Sequence, residues 1–347
     1  MTIQCFTSIN LNYLARARVL AWTLRRQHPD WRLSVCVVDR PPRDFRADSL
    51  FDSFDDVIWA EDMDIENLPA WLFKRDVVEA CTAVKGPILN ELINSGVDKV
   101  FYLDPDIAVL GSLSPLVELL DTNSILLTPH QLSPDDEIQA IIDNEICSLV
   151  HGVYNLGFLA VKNDRSGREF TGWWRNRLME FCYNEKERGI FVDQKWCDHA
   201  PSMFDEVKIL RDPGYNVASW NLSRRKISIN DKGEILVNGV PLRFFHFTKL
   251  GPIGDTMTAR YARENTEVYE IWSWYRRKVM EFSDSAIPAG YWYYGEFDNG
   301  LAIPKSVREL YRGRRDLQEA FPNPFQTGEN GFYAWLQSEE PDLLRPS

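Results

Sequence analysis

The segment Phe101-Tyr-Leu-Asp-Pro-Asp-Ile-Ala-Val109 holds the residue types best suited to chemistry. Asp104 and Asp106 stand one residue apart at the end of an apolar, strand-like run. The carboxyl ends of strands in open α/β sheets are where ligands bind. Two hard oxygen donors placed there suit Mg²⁺ or Mn²⁺, with water and a diphosphate filling the remaining positions. Such a cation neutralises charge on a departing diphosphate and acts as a Lewis acid. An isolated Asp-x-Asp is also a common solvated turn; the apolar runs on both sides of this one favour the metal. Haloacid-dehalogenase-type phosphatases use a related Asp-x-Asp, but Asp104 to Ala108 only half fits, and two earlier strands precede it.

Other polar residues carry two readings each. Lys85, taken alone, is a helix-surface lysine; just before the Asp104 strand it is a phosphate or sugar contact. His246, between Phe245 and Phe247, is a satisfied core histidine or a neutral imidazole ligand. Asp193 and Gln194 cap a short helix or serve a sugar-transfer site, and Asn155 closes a turn or binds sugar hydroxyls. Trp173 and Trp174 read as helix packing, whereas Trp220, among polar neighbours, suits sugar stacking. His130 and His151 belong to loops near the cleft, with no assignable role.

These groups need elements to position them. Ile3–Ile9 reads as a strand, and Leu14 to Gln27 as a helix with Leu14, Ala17, Ala21 and Leu24 on one face. Leu33 to Val38 is a strand covered on both faces. Residues 40–65 are Pro- and Asp-rich loop with short pieces of structure. Helical spacing runs from Trp71 to Ile93, with Pro87 as a kink or a break. Val100–Leu103, Ser124–Thr128, Val153–Val161 and Leu242–Phe247 are further strands, Arg168–Tyr183 is a helix, and Asn230-Asp-Lys-Gly233 turns a hairpin. The alternation implies an α/β domain with a largely parallel sheet. Beyond Gly254, helical spacing from Thr258 to Phe282 leads into an aromatic-rich tail, too aromatic to be disordered.

With 347 residues, about two domains are expected. A net charge of −12 argues against a nucleic-acid partner and against broad adhesion to anionic lipid. The six cysteines include no CxxC pair and read as buried thiols. No signal peptide and no spanning segment are recognisable, so the expected location is cytoplasmic, at most peripheral at the inner membrane face.

Tyr102-Leu-Asp-Pro-Asp-Ile resembles the YLDxD segment of GT-A-fold glycosyltransferases, particularly family eight and its bacterial relatives. The resemblance continues in order over residues 2–250. Phe6-Thr-Ser-Ile-Asn10 with Tyr13 resembles the first-strand loop that holds the nucleoside, and Cys81-Thr-Ala-Val-Lys-Gly-Pro87 the helix whose basic residue helps hold the donor. Asn155-Leu-Gly-Phe158 resembles the NxG segment of the sugar pocket, and Phe191-Val-Asp-Gln194 the DQ motif beneath the reacting carbon. Phe245-His-Phe-Thr-Lys249 resembles the terminal HFxG segment, with Lys249 in place of the glycine; the diphosphate grip then falls to Lys249 and the backbone near Gly251.

The resemblance implies a Rossmann-like, mixed but mostly parallel sheet with helices on both faces. It divides the chain into a catalytic domain, 1–254, and a C-terminal helical, aromatic-rich extension, 255–347, packed on that domain or on a partner, including a second copy. It implies Mn²⁺ or Mg²⁺ on Asp104, Asp106 and His246, and a nucleotide-sugar donor, UDP the nucleotide. Donor contacts fall to Phe6, Thr7, Ser8, Asn10, Tyr13, Lys85, Asp104 and Lys249, and the reacting centre to Asp193, Gln194 and Asn155. The implied reaction is hexosyl transfer (EC 2.4 type) with retention, to a glycan, lipid-linked glycan or protein acceptor in bacterial surface polysaccharide synthesis. A sugar-nucleotide pyrophosphorylase should open on a Gly-rich basic loop, which Phe6 to Asn10 lacks. A non-catalytic glycan-binding module would not need the acidic, histidine and DQ positions that this chain keeps.

Overall fold

The computed structural model describes residues 1–42 and 49–344; part of the expected loop at 40–65 lies outside them. In chain order the strands are β1 (Ile3–Ile9), β2 (Arg32–Val37), β3 (Asp56–Trp59), β4 (Lys99–Leu103), β5 (Ile107–Val109), β6 (Ile125–Pro129) and β7 (Tyr154–Lys162). A small ribbon, β8 (Asn184–Glu185) and β9 (Ile190–Phe191), precedes β10 (Val207–Ile209). The meander β11 (Ile227–Ile229), β12 (Ile235–Val237) and β13 (Val240–Pro241) follows, then β14 (Phe244–His246).

Seven strands form the central sheet in the order β10-β6-β7-β4-β1-β2-β3. Every pairing in it is parallel except those of β7, which runs against β4 and β6. This is the mixed, mostly parallel α/β sheet that the sequence leads one to expect. The alternation of β4 shows why both faces must be covered. Val100 and Tyr102 enter one core with Ala80, Ile88 and Trp174; Phe101 and Leu103 enter the other with Leu14, Leu20 and Leu116. Helices therefore pack on both faces.

Three boundaries differ from the sequence reading. The helical stretch from Trp71 to Ile93 is three helices, Leu68–Phe73, Val77–Ala83 and Lys85–Asn94. Asp76 makes one of the breaks, as the N-cap of a capping box with Glu79. The other break falls at Val84, where Pro87, in the first turn of the third helix, has no N–H to give Ala83 O and so cannot carry the second helix into the third. The Thr258–Phe282 helix is two, Pro252–Ala262 and Thr266–Phe282, separated at Arg263 with φ +48°. Finally, β14 does not join the central sheet but pairs antiparallel with β5. The hairpin at Asn230 to Gly233 is present as β11 and β12.

The extension turns its aromatic residues inward. Trp272 and Tyr275 pack on Phe245 and Phe247, with the Phe247 and Tyr275 rings stacked at 3.8 Å. Tyr311, Phe332 and Leu336 close around Phe73. The buried Arg308 guanidinium ties the two parts together, donating to the carbonyls of Phe73 (3.0 Å), Arg75 (2.8 Å) and Tyr294 (2.6 Å). Among the described residues no helix is long and apolar enough to cross a membrane. Of the six free cysteines, Cys147 is exposed, against the expectation of buried thiols, because its helix lies at the cleft surface.

Candidate metal centre and active-site cleft

Chain reversals after β4 set the geometry. Asp104 N–H donates to Gly157 O (2.8 Å), which holds the first carboxylate against β7, and Ile107 N–H donates to Asp104 O (3.0 Å), closing the turn. The chain then runs into β5, where β14 places His246 opposite Ile107. Phe247 N–H donates to Asp106 O (2.8 Å). Asp104, Asp106 and His246 each offer a ligand atom, all within 4.8 Å of one another. His246 Nε2 is 3.0 Å from Asp106 Oδ1 and 3.6 Å from Asp104 Oδ2. Two carboxylates and one imidazole fit Mn²⁺ or Mg²⁺, with room for diphosphate oxygens and water.

Each candidate ligand is aimed by a neighbour. Lys85 Nζ bonds Asp104 Oδ1 (3.1 Å), as does the Tyr102 hydroxyl, leaving Oδ2 turned toward His246. Lys85 is itself held by Asp193 Oδ2 (2.9 Å) and Leu156 O (3.2 Å), over the Tyr102 ring. Burial opposes its charge, yet the carboxylates of Asp104 and Asp193 hold its ammonium well above the ordinary lysine range. Burial pushes the Asp193 carboxyl up, against the pull of Lys85. Asp106 is flanked by Arg16 Nη1 at 3.9 Å.

His246 is oriented from its far side. Its Nδ1 lies 3.2 Å from Asn155 Oδ1, so Nδ1–H donates there and Nε2 is left for the carboxylates and a metal. Burial works against the charged imidazole, but Asp106 and Asp104 outweigh it and raise His246 above its ordinary value. Asn155 is fixed in turn by Asn216 Nδ2 (3.0 Å), Gln194 Oε1 (3.2 Å) and His130 Nε2 (3.4 Å). Desolvation pulls the His130 imidazole down to about 4, which keeps Nε2 an acceptor. Gln194 Oε1 also accepts from Leu156 N–H (3.1 Å), while its Nε2 donates to His151 O (3.1 Å).

Gly157 lies under this network. A Cβ there would meet His246 Cε1 at 2.4 Å and Asn155 Oδ1 at 2.8 Å. The glycine of the NxG segment is thus a packing requirement of the His246 imidazole. Gly157→Ala is expected to push the ring aside, weakening Mn²⁺ binding about 10- to 100-fold at a stability cost of about 1–3 kcal/mol. Metal titration of the folded variant checks this; unchanged affinity would show that His246 is not a ligand.

One cleft of about 1800 Å³ brings together Ser8, Asn10, Tyr13, Lys85, Asp104, Asp106, Asn155, Gln194, His246 and Lys249. Phe6 and Thr7 do not reach it; they are buried within β1, Phe6 against the Tyr102 ring. Asp193 lies buried behind Lys85, its backbone carbonyl held by Trp174 Nε1–H (3.2 Å). Trp174 is therefore packing, and Trp220 lines the cleft edge-on to His246. Lys249 adopts φ +53°, the left-handed conformation that a glycine would supply at this motif position.

Arg16, Tyr102 and Asn216 escaped the sequence reading as members of the site, and His130, placed near the cleft without a role, proves to contact Asn155. Arg16 follows Tyr13 by one helical step and stacks over its ring at 4.3 Å. That spacing was a usable signal. Asn216 had none, since only folding brings it to Asn155.

No protein-family model matches the chain. It is 32% identical over 177 residues to the uncharacterized protein YfnF of Bacillus subtilis (strain 168), covering 50% of this chain and 57% of that protein. It is 25% identical over 251 residues to YfnD of the same organism, covering 71% of this chain and 78% of that one. The chain thus matches little more than half the length of YfnF. Among solved structures it is similar to the galactosyltransferase LgtC in complex with donor and acceptor sugar analogs: 17% identity, TM-score 0.49, 82% of this chain and 98% of that one. It is also similar to the glycosyltransferase GlyE of Streptococcus pneumoniae TIGR4: 18% identity, TM-score 0.46, 86% of this chain and 67% of that one.

Proposed function

We propose that this chain is a metal-dependent glycosyltransferase of the GT-A type, moving a hexose from a nucleotide sugar, UDP the nucleotide, to a glycan acceptor. The observation that carries it is the aimed trio of Asp104, Asp106 and His246, set between nucleoside-side residues (Asn10, Tyr13) and sugar-side residues (Asn155, Gln194) in a single cleft. Mn²⁺ or Mg²⁺ held by the trio supplies charge neutralisation to the departing diphosphate.

The chain's own groups do the rest. Lys249 adds a cation at the cleft wall, taking up the diphosphate grip. Lys85, held by Asp193, orients Asp104 and keeps positive charge beneath the donor. Asn155 is a positioning residue for His246, and Gln194 fixes the β7 entry on which Asn155 sits. Because Asp193 is buried and ion-paired, it is not placed to attack the sugar, so the retention that the family resemblance implies would go by same-face attack and not through a covalent intermediate on Asp193. Residues 1–254 form the catalytic domain in this reading, and 255–347 an extension that packs on it. Ile138, Ile142, Ile146 and Leu149 are exposed along one stretch of chain, of which Ile142 lines the cleft, and this suits an acceptor with an apolar part, such as a lipid-linked glycan of surface polysaccharide synthesis. Such an acceptor fits an enzyme of the cytoplasm, peripheral at the inner membrane face.

A thermal-shift panel of nucleotide sugars with and without Mn²⁺ tests the proposal. A donor at 100 times its Kd stabilises the fold by about 2.7 kcal/mol, and the shift should vanish when EDTA removes the metal. Stabilisation by no nucleotide sugar, with or without metal, would overturn it.

A further inference from the structure

We propose that the segment Pro288–Phe297 of the C-terminal extension is a wall of the nucleoside subsite, with Trp292 as the residue that selects the base. This rests on the glycosyltransferase reading and names what its donor site is made of. The metal trio lies over the ends of β4 and β7, and β1 and β2 follow β4 along the sheet. A donor with its diphosphate on the trio and its sugar toward Asn155 therefore extends its nucleoside over the loops after β1 and β2.

Those loops are joined to the extension. Asn10 Nδ2 donates to Tyr291 O (3.2 Å), as does Asn12 Nδ2, while Gly290 N–H donates to Asn12 Oδ1 (3.1 Å). After β2, the fully buried Asp39 accepts Tyr293 N–H at Oδ1 (2.8 Å), and the Tyr291 hydroxyl donates to Arg40 O (2.7 Å). One N–H of the Asn10 amide is thus bonded to the extension, and Tyr291, Trp292 and Tyr293 line the cleft beside it.

Trp292 carries what a heteroaromatic base needs. Its ring is held by the Arg308 guanidinium at 4.9 Å, itself anchored by three carbonyls. Its buried Nε1–H has no hydrogen-bond partner among the described residues. A flat ring for stacking and one unspent donor for a carbonyl oxygen are the features that recognise a pyrimidine base.

The test is calorimetric titration of the full chain in Mn²⁺ with UDP, ADP and inorganic pyrophosphate. Trp292→Ala should weaken UDP about 10- to 100-fold, the range found for loss of a base–aromatic stack, with pyrophosphate unchanged. Trp292→Phe keeps a ring without the donor, so it should lose UDP-over-ADP preference and retain most nucleotide affinity. It also decides the matter if the alanine variant fails to fold. UDP binding unchanged in a folded variant, or UDP and pyrophosphate weakened equally, would overturn the proposal. A wild-type chain that binds pyrophosphate but no nucleoside diphosphate more tightly would overturn it while leaving the metal centre intact. Failure of both ligands would instead remove the glycosyltransferase reading beneath it.

Discussion

Asp106→Ala is expected to abolish metal-dependent donor binding and to lower sugar transfer by about 1000-fold or more. Asp106 Oδ1 is the oxygen nearest His246 Nε2, at 3.0 Å, so its loss leaves one carboxylate and one imidazole for a hard dication. A catalytic metal contributes several kcal/mol of charge stabilisation, and each 1.36 kcal/mol is a factor of ten in rate. The remaining environment makes matters worse. Burial opposes ionisation of Asp106, and His246 and Arg16 counter it, holding the carboxyl below its usual range. Without that carboxylate, Arg16 and His246 place uncompensated positive character where the cation should sit. Asp106→Asn keeps the volume and the backbone bond to Phe247, separating lost ligation from lost packing. Mn²⁺ titration and donor hydrolysis on both folded variants provide the check. Full, EDTA-sensitive activity in either would exclude the trio as the metal site.

Lys85→Met should have the largest effect on stability. Lys85 and Asp193 are both almost fully buried and lie 2.9 Å apart, with no solvent to take over either charge. Removing one member of a buried ion pair strands the other and costs about 3–5 kcal/mol. Chemical denaturation of the variant measures this. Activity should fall as well, because Asp104 Oδ1 keeps only the Tyr102 hydroxyl and is no longer held to one rotamer. The double variant Lys85→Met/Asp193→Asn separates the two effects: it should recover most of the stability and little of the transfer. If it recovers both, Lys85 is a structural lysine and has no part in the donor site.

The acidic balance of the chain takes on a local meaning in this light. Asp104, Asp106 and Asp193 are not solvated surface; they lie among Lys85, Arg16 and His246, in an arrangement suited to a cation meeting an anionic diphosphate.

Much was legible in the residues alone. Periodicity located the β1 strand and its following helix, the buried β4 run and the hairpin at Asn230, because side-chain alternation and helical repeats are local properties. The order of short motifs singled out Asp104, Asp106, His246, Lys85, Asn155 and Gln194, since each motif is a few residues whose types carry the chemistry. Tertiary structure alone decided what each of these touches. The bond from Asn155 to His246 and the pairing of Asp193 with Lys85 were not legible, because those partners lie 91 and 108 positions away in the chain. The glycine at position 157 makes sense only once the imidazole rests on it. Likewise, nothing local in Pro288–Phe297 relates it to Asn10, some 280 residues earlier; only the packing of the extension against the ends of β1 and β2 brings Trp292 into the cleft. Local sequence carries propensity and chemistry, whereas orientation and burial come from contacts that exist only after the chain has closed on itself.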